Sequence, residues 1–177
     1  MNYPAPFKKP PIGVVLAYAG GLTQTVTAVT GMRVLSTDNA GLEGAHVGLF
    51  VADNPKVPRQ IDDRVLAAFW PLKPAGKATV PIALGRERWE AQRQVVGTEK
   101  VTVPAGTYLT YVVEGVQRPK FVANPKSTSL VTTWWYAPSI GAVVRFAATA
   151  KGGSAGAGVV RPFELVTVRA LHTPATR

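Results

Sequence analysis

Alternation of apolar and polar residues along the chain predicts β-strands over most of its length. In RERWEAQRQ (86–94), most charged and amide side chains fall on one face of an extended strand, while Trp89 and Ala91 fall on the other. In TYLTYVVE (107–114) both faces are apolar, with Tyr111 between Leu109 and Val113. The first pattern is typical of an antiparallel sheet with one wet face, and the second predicts a central or covered strand.

Glycine, proline and asparagine separate these runs at spacings typical of an antiparallel meander. The predicted strands are Val14–Tyr18, Leu22–Ser36 with a bulge or turn at Gly31, the AHVGLFVAD stretch (45–53), and about 80–84, 86–96, 99–103, 107–116, 129–136, 142–150 and 159–171. The sequence therefore predicts a mainly β fold, either a single curved antiparallel sheet or a half-barrel (meander).

One stretch departs from the strand pattern. In IDDRVLAAFWPL, Ile61, Val65 and Phe69 recur every four residues and Pro71 stops the run, which predicts one short helix near residues 61–70. The 177 residues fit one domain. We predict an N-terminal arm over residues 1–12, a single β-rich domain over 13–172 and a flexible tail over 173–177. Within the domain, AKGGSAGAG (150–158) predicts a flexible hairpin loop.

The chain is strongly basic, with 20 Lys and Arg against 10 Asp and Glu and a net charge of +10. This balance favours anionic partners such as lipid headgroups, acidic envelope polymers or nucleic acid. Only Lys8 and Lys9 are adjacent, and no recognition-helix or zinc-finger pattern is present, so nucleic acid is disfavoured. The absence of cysteine excludes disulfides and thiolate chemistry. No apolar run approaches the roughly 20 residues of a transmembrane helix.

Two motifs carry a family resemblance. Pro104, Ala105 and Gly106 form a turn sequence within VVGTEKVTVPAGTY, where VVGTEK predicts a further turn just upstream. Together with TTWWYAPSIGAVVRF, and with FWPLKPAGK further upstream, this segment resembles a family of exported bacterial β-rich proteins, the domain of unknown function 3108. The resemblance covers roughly Phe69 to Phe146. It implies a curved antiparallel sheet and an envelope or secreted location, and it supplies no activity and no catalytic residue.

The start of the sequence imitates a signal peptide. FKKPPIGVVLAYAG combines two lysines, a short apolar run and an Ala-x-Ala triplet. The apolar run is too short for the hydrophobic region of a signal, and two prolines precede it. We therefore predict that Val14–Tyr18 is a strand, that a true export signal has been removed, and that the protein is periplasmic or secreted.

The aromatic residues are the leading candidates for a site. Trp134 and Tyr136 share one face of a predicted strand and Trp135 takes the other. They form either a packed core with a covered second face, or an aromatic-lined concavity that holds a lipid, glycan or peptide. In the second interpretation arginines at the rim meet an anionic headgroup. The candidate ligand-binding residues are Trp134, Tyr136, Trp89, Tyr111, Arg86, Arg88 and Arg145.

Catalytic patterns are weak. GGSAG (152–156) matches the G-x-S-x-G nucleophile motif, but no helix follows it, and Glu164 and His172 would lie roughly 26 Å apart on one extended strand. His46 and His172 lack partners at metal-ligand spacing. Glutamates could pair in space for glycoside cleavage, although pairing with surface cations is far commoner; these are Glu87, Glu90, Glu99 and Glu114. We predict no catalytic residue, no metal and no cofactor.

Three functional hypotheses follow. The favoured one is a non-enzymatic exported module that binds an apolar or amphipathic ligand, or an envelope partner, in a concave sheet. The alternative is a structural or accessory subunit of an envelope assembly, whose N-terminal arm would be ordered only against a neighbouring protein. A hydrolase is the third, and it requires titratable groups that converge in one pocket.

Overall fold

The computed structural model describes residues 4–47, 49–53, 65, 68–84, 87–119, 129–151 and 162–170. These residues form one open antiparallel sheet of eleven strands, which is not closed into a barrel. The strands are β1 (Val14–Tyr18), β2 (Thr23–Thr30), β3 (Arg33–Asp38), β4 (Glu43–Val47), β5 (Phe50–Asp53), β6 (Lys77–Leu84), β7 (Glu87–Val103), β8 (Gly106–Pro119), β9 (Ser129–Ala137), β10 (Ala142–Lys151) and β11 (Phe163–Ala170). The predicted mainly β architecture with a single antiparallel sheet is confirmed.

The sheet consists of two meanders, β1–β5 and β6–β11, which are joined where β1 pairs with β11. Across the sheet the order is β5-β4-β3-β2-β1-β11-β10-β9-β8-β7-β6. Strand β1 pairs with β11, with Val15 opposite Arg169. The two sheet edges, β5 and β6, are therefore consecutive in sequence, and the chain between them has to pass from one edge of the sheet to the other.

The last part of that connection lies in the core. Phe69, Trp70 and Leu72 are all buried in one cluster with apolar residues of β6–β10. We call Phe69–Lys73 the strap. Ala5 of the N-terminal arm forms an isolated bridge with Leu72 through two backbone hydrogen bonds of 2.9 Å. The strap and the arm therefore cover the same region of the sheet.

Strands β7–β10 bury residues on both faces. We call the face that carries Tyr111, Val113, Trp134 and Tyr136 the inner face, because these residues share a cluster with the strap. The opposite or outer face carries Val101, Val103, Trp135 and Ala137, which cluster with residues of β1 and with Leu165 of β11. The predicted apolar character of both faces of β8 thus reflects two separate cores.

Two β-bulges adjust which residues reach each face. In β7 the register shifts between Val95 and Gly97, and in β10 it shifts between Val143 and Arg145. The β7 bulge corrects the turn predicted at VVGTEK, because the partner strand β8 is long enough to continue pairing on both sides of it. The strands predicted at 86–96 and 99–103 are consequently one strand of 17 residues.

Other boundaries also differ from expectation. Leu22–Ser36 divides at Gly31, whose φ of 59° favours glycine, and AHVGLFVAD forms two strands, β4 and β5, instead of one. The predicted helix near residues 61–70 falls mostly outside the described residues and is not shown. The first two residues of the loop predicted at 150–158 belong to β10, and the rest of that loop and the tail at 173–177 lie outside the described residues. Within the described residues, no helix combines the length and apolar character needed to cross a membrane.

Candidate functional site

The inner face brings three predicted site residues together. Tyr111 and Tyr136 are directly opposite each other on β8 and β9, both fully buried, and Trp134 is 8 % exposed. The Trp70 ring of the strap meets Tyr136 edge to face, with ring centroids 5.1 Å apart. The described side chains thus pack against one another as in a core. That these residues bind a ligand stays a prediction.

A buried arginine that the sequence reasoning missed lies on the same face. The Arg93 guanidinium carbon is 3.8 Å from the centroid of the Trp134 ring, in a cation–π contact. Arg93 is directly opposite Gly115, whose missing side chain leaves room for that ring. The signal was present in RERWEAQRQ, because Arg93 falls in phase with Trp89 and Ala91 and out of phase with the two other arginines of the stretch.

Burial shifts the pKa of two side chains on the inner face, Arg93 and Tyr136. It lowers the pKa of the Arg93 guanidinium, because removal from water disfavours the charged form. It raises the pKa of the Tyr136 hydroxyl, and the nearby backbone of Lys8 offsets part of that rise. Tyr136 is therefore a neutral phenol at physiological pH, with a proton to donate.

Polar atoms within this core lack partners of good hydrogen-bond geometry. Among the described residues, neither the Trp70 Nε1 atom nor the Tyr136 hydroxyl has a partner of good hydrogen-bond geometry, although both are buried; the Lys8 backbone approaches the hydroxyl without reaching that geometry. We call Trp70, Arg93 and Tyr136 the donor cluster: Trp70 packs against Tyr136, and Arg93 packs on Trp134, which is two residues from Tyr136 on the same face of β9. Such donors in apolar surroundings can form hydrogen bonds to the oxygen atoms of a ligand.

Arg145 does not belong to the donor cluster. The bulge in β10 places it opposite Trp135, on the outer face. Its Nε atom donates to Glu164 Oε1 at 2.7 Å, and its Nη2 atom donates to the Thr102 carbonyl at 3.3 Å. These contacts join β10, β11 and the β7–β8 hairpin, so the structure separates Arg145 from Trp134 and Tyr136.

The other predicted site residues are described only in part. Arg86 lies outside the described residues. Arg88 and Trp89 belong to β7, where their backbones pair with Ala83 and Ile82 of β6, but their side chains lie outside the description.

The described residues bring together few groups for catalysis. Glu90 accepts a hydrogen bond from Gln92 Nε2 at 3.1 Å, and Glu99 accepts one from Trp135 Nε1 at 2.8 Å. Ser154 and His172 lie outside the description. Burial lowers the pKa of His46 on β4. No group of three or more potential metal ligands occurs in the part of the chain that is described.

Comparisons with known proteins identify a family and a fold. The family model described as "Protein of unknown function (DUF3108)" matches residues 52–157. The fold is similar to that of the hypothetical lipoprotein YmcC from Escherichia coli K12, with a TM-score of 0.52, 11 % identity, and coverage of 88 % of this chain and 81 % of that chain. A candidate lipoprotein from Parabacteroides distasonis gives a TM-score of 0.50 at 15 % identity, with coverage of 95 % and 100 %. A search of the curated proteins found no match.

Proposed function

The chain belongs to the DUF3108 family of proteins of unknown function, and from that premise and its own geometry we propose that it is a non-enzymatic, exported binding module. Its ligand is amphipathic, with an apolar body and an oxygen-rich, anionic headgroup. The observation that carries the proposal is the donor cluster on the inner face, in which Trp70 Nε1 and the Tyr136 hydroxyl are buried without a partner of good hydrogen-bond geometry among the described residues.

The energetic argument starts from these donors. A buried donor that makes no hydrogen bond destabilises a protein by about 1–3 kcal/mol, so a ligand oxygen that accepts from it gains binding free energy. Arg93 contributes a positive charge 3.8 Å from the Trp134 ring, and burial strengthens its attraction for an anion. Donors combined with a positive charge favour a carboxylate or phosphate over a neutral headgroup.

The apolar body of the ligand has to compete with existing contacts. The inner face is covered by the strap and, through the Ala5–Leu72 bridge, by the N-terminal arm. An acyl chain or similar group would therefore replace the packing of the strap or the arm against β8–β10. Two backbone hydrogen bonds and the Phe7–Trp70 contact hold the arm to the strap, whereas the strap itself places three buried side chains in the core, so the arm is the easier of the two to displace.

The structural relatives support an envelope location. Two proteins of similar fold are named as lipoproteins, which are exported to the bacterial envelope. We propose that this chain is likewise exported, and that it is periplasmic or secreted. The structural-subunit alternative has less support, because the described arm residues pack against their own chain instead of requiring a neighbour.

The test compares ligands that share an apolar chain and differ in the headgroup. Tryptophan fluorescence of the full chain is titrated with palmitate and with hexadecanol, and we expect tighter binding of palmitate. Tyr136→Phe removes one donor and should weaken palmitate binding by about tenfold, with little effect on hexadecanol. The matched control is Tyr18→Phe, which alters another buried tyrosine that clusters with the outer face.

Two results would overturn the proposal. One is equal affinity for palmitate and hexadecanol, because the donor cluster would then select no headgroup. The other is equal loss of palmitate binding in Tyr136→Phe and Tyr18→Phe, because the effect would then reflect general loosening of the core. Native mass spectrometry of protein purified from its own envelope supplies a second readout, in which a species that is always ligand-free counts against binding.

A further inference from the structure

One end of the sheet concentrates positive charge. Strand β1 begins, β3 begins and β11 ends at this end, as the pairs Val15–Arg169 and Thr30–Arg33 require. The N-terminal arm follows the same end, because the Lys8 side chain donates to the Ser139 carbonyl in the β9–β10 turn. We call the group formed by Lys8, Lys9, Arg33 and Arg169 the basic rim.

Acidic residues of the same strands lie at the other end. Asp38 ends β3 and Glu43 begins β4. Asp38 caps the turn there by accepting hydrogen bonds from the Ala40 and Leu42 amides, at 2.8 and 2.9 Å. The N-terminal half of the sheet is therefore electrically polarised along its strands, and the basic rim is its positive end.

An apolar side chain projects from the basic rim. Ile12 is 67 % exposed, and two prolines separate it from Lys8 and Lys9. A hydrogen bond of 2.8 Å from the Gly13 amide to the Val26 carbonyl fixes the backbone directly after Ile12. An isoleucine held at the surface among cations combines the two features that peripheral membrane proteins use, electrostatic attraction and insertion of an apolar group.

We propose that the basic rim docks on an anionic lipid surface, with Ile12 inserted between the headgroups. A soluble acidic polymer would be attracted by the same cations but gives no role to an exposed isoleucine, so the observations favour a lipid surface. This inference rests on residues outside the donor cluster, and it concerns the protein with its arm packed on the strap.

The experiment measures co-sedimentation of the full chain with vesicles of phosphatidylcholine alone, or mixed with phosphatidylglycerol. We expect binding to the mixed vesicles that weakens as salt concentration rises. The double variant Lys9→Gln/Arg169→Gln should bind at least tenfold more weakly, because each cation near an anionic surface contributes about fivefold to the partition constant. Ile12→Ser should weaken binding at every salt concentration while leaving the salt dependence unchanged.

Matched controls separate the basic rim from net charge. Lys77→Gln/Arg118→Gln removes the same charge from exposed positions on β6 and β8, and Leu42→Ser removes an exposed leucine at the acidic end. We expect both to bind like the unchanged protein. Equal binding to neutral and mixed vesicles, or equal losses in the two double variants, would overturn the proposal. So would an Ile12→Ser variant that binds normally, with soluble polyglutamate binding to the rim instead.

Discussion

At the scale of single residues, Gly115 determines how the inner face is packed. A Cβ atom at this position would lie 2.6 Å from the Trp134 Cζ3 atom and 2.9 Å from the Thr132 hydroxyl. The indole ring therefore lies against bare backbone at Gly115, and the Arg93 guanidinium lies over the face of the same ring. The absence of one side chain on β8 thus allows a tryptophan and a buried cation to stack within the sheet core.

Gly115→Ala is expected to lower the free energy of unfolding by about 1–3 kcal/mol, because the added methyl group forces the Trp134 ring to move within a packed core. Gly97→Ala is the control, since a Cβ atom at Gly97 meets no atom within 4 Å. Urea denaturation followed by tryptophan fluorescence measures both. Equal midpoints for the two variants would contradict the packing described here.

At the scale of elements, the end of the β7–β8 hairpin contacts β11, the strand that joins the two meanders of the sheet. The hairpin end extends past the last pair between β8 and β9, which is Tyr111 with Tyr136. The Ala105 amide then donates to the Leu165 carbonyl of β11 at 3.2 Å, and Tyr108 donates to the Ala105 carbonyl at 3.1 Å. The Pro-Ala-Gly turn is therefore a docking point within the fold.

Val101→Ala should destabilise the protein by about 2 kcal/mol, because Val101 is 2 % exposed and loses two buried methyl groups from the outer-face cluster. Leu109→Ala in the same hairpin should change stability little, since Leu109 is 47 % exposed. Thermal unfolding by circular dichroism compares the two. A larger loss for Leu109→Ala would show that the hairpin docks through its other face.

At the scale of the whole molecule, the N-terminal arm joins the strap to the β9–β10 turn. Phe7 meets Trp70 edge to face, with ring centroids 5.3 Å apart, and Lys8 lies beside Gly141. A Cβ atom at Gly141 would be 2.5 Å from the Lys8 carbonyl oxygen, and the φ of Gly141 is 69°. The position of the arm thus depends on its contact with the β9–β10 turn, which is distant from it in sequence.

Gly141→Ala should release the arm, because the methyl group collides with the Lys8 backbone in addition to the roughly 1 kcal/mol cost of a left-handed alanine. Gly41→Ala has a similar φ of 76° and no atom within 4 Å, so it isolates the conformational cost. Hydrogen exchange of the Ala5 and Leu72 amides reports on the arm. Protection of these amides that is the same in both variants would contradict the predicted contact.

The sequence predicted the structure correctly where local alternation of side chains determines it. The predictions were wrong where contacts between residues distant in sequence determine the structure. Alternation placed Trp134 and Tyr136 on one face and predicted the strands, because period-two patterning is local. It predicted a turn at VVGTEK, since pairing across a bulge depends on the length of β8. It grouped Arg145 with Trp134 in one candidate site, as an arginine at its rim, because the β10 bulge that places Arg145 opposite Trp135 cannot be read from one strand. The contact of Arg93 with Trp134 could not be predicted, because the sequence does not show that this face of β7 is buried.

The pairing of β1 with β11 has a consequence for how the chain can assemble. A rewired chain that ran from β6 to β11 and then from β1 to β5 would be an uninterrupted zigzag, each described strand lying beside its predecessor. In the natural order, Val14 has to find Ala170 across nearly the entire polypeptide. Contacts between such distant positions form slowly, so we infer that the pairing of β1 with β11 is a late step that limits the rate of folding.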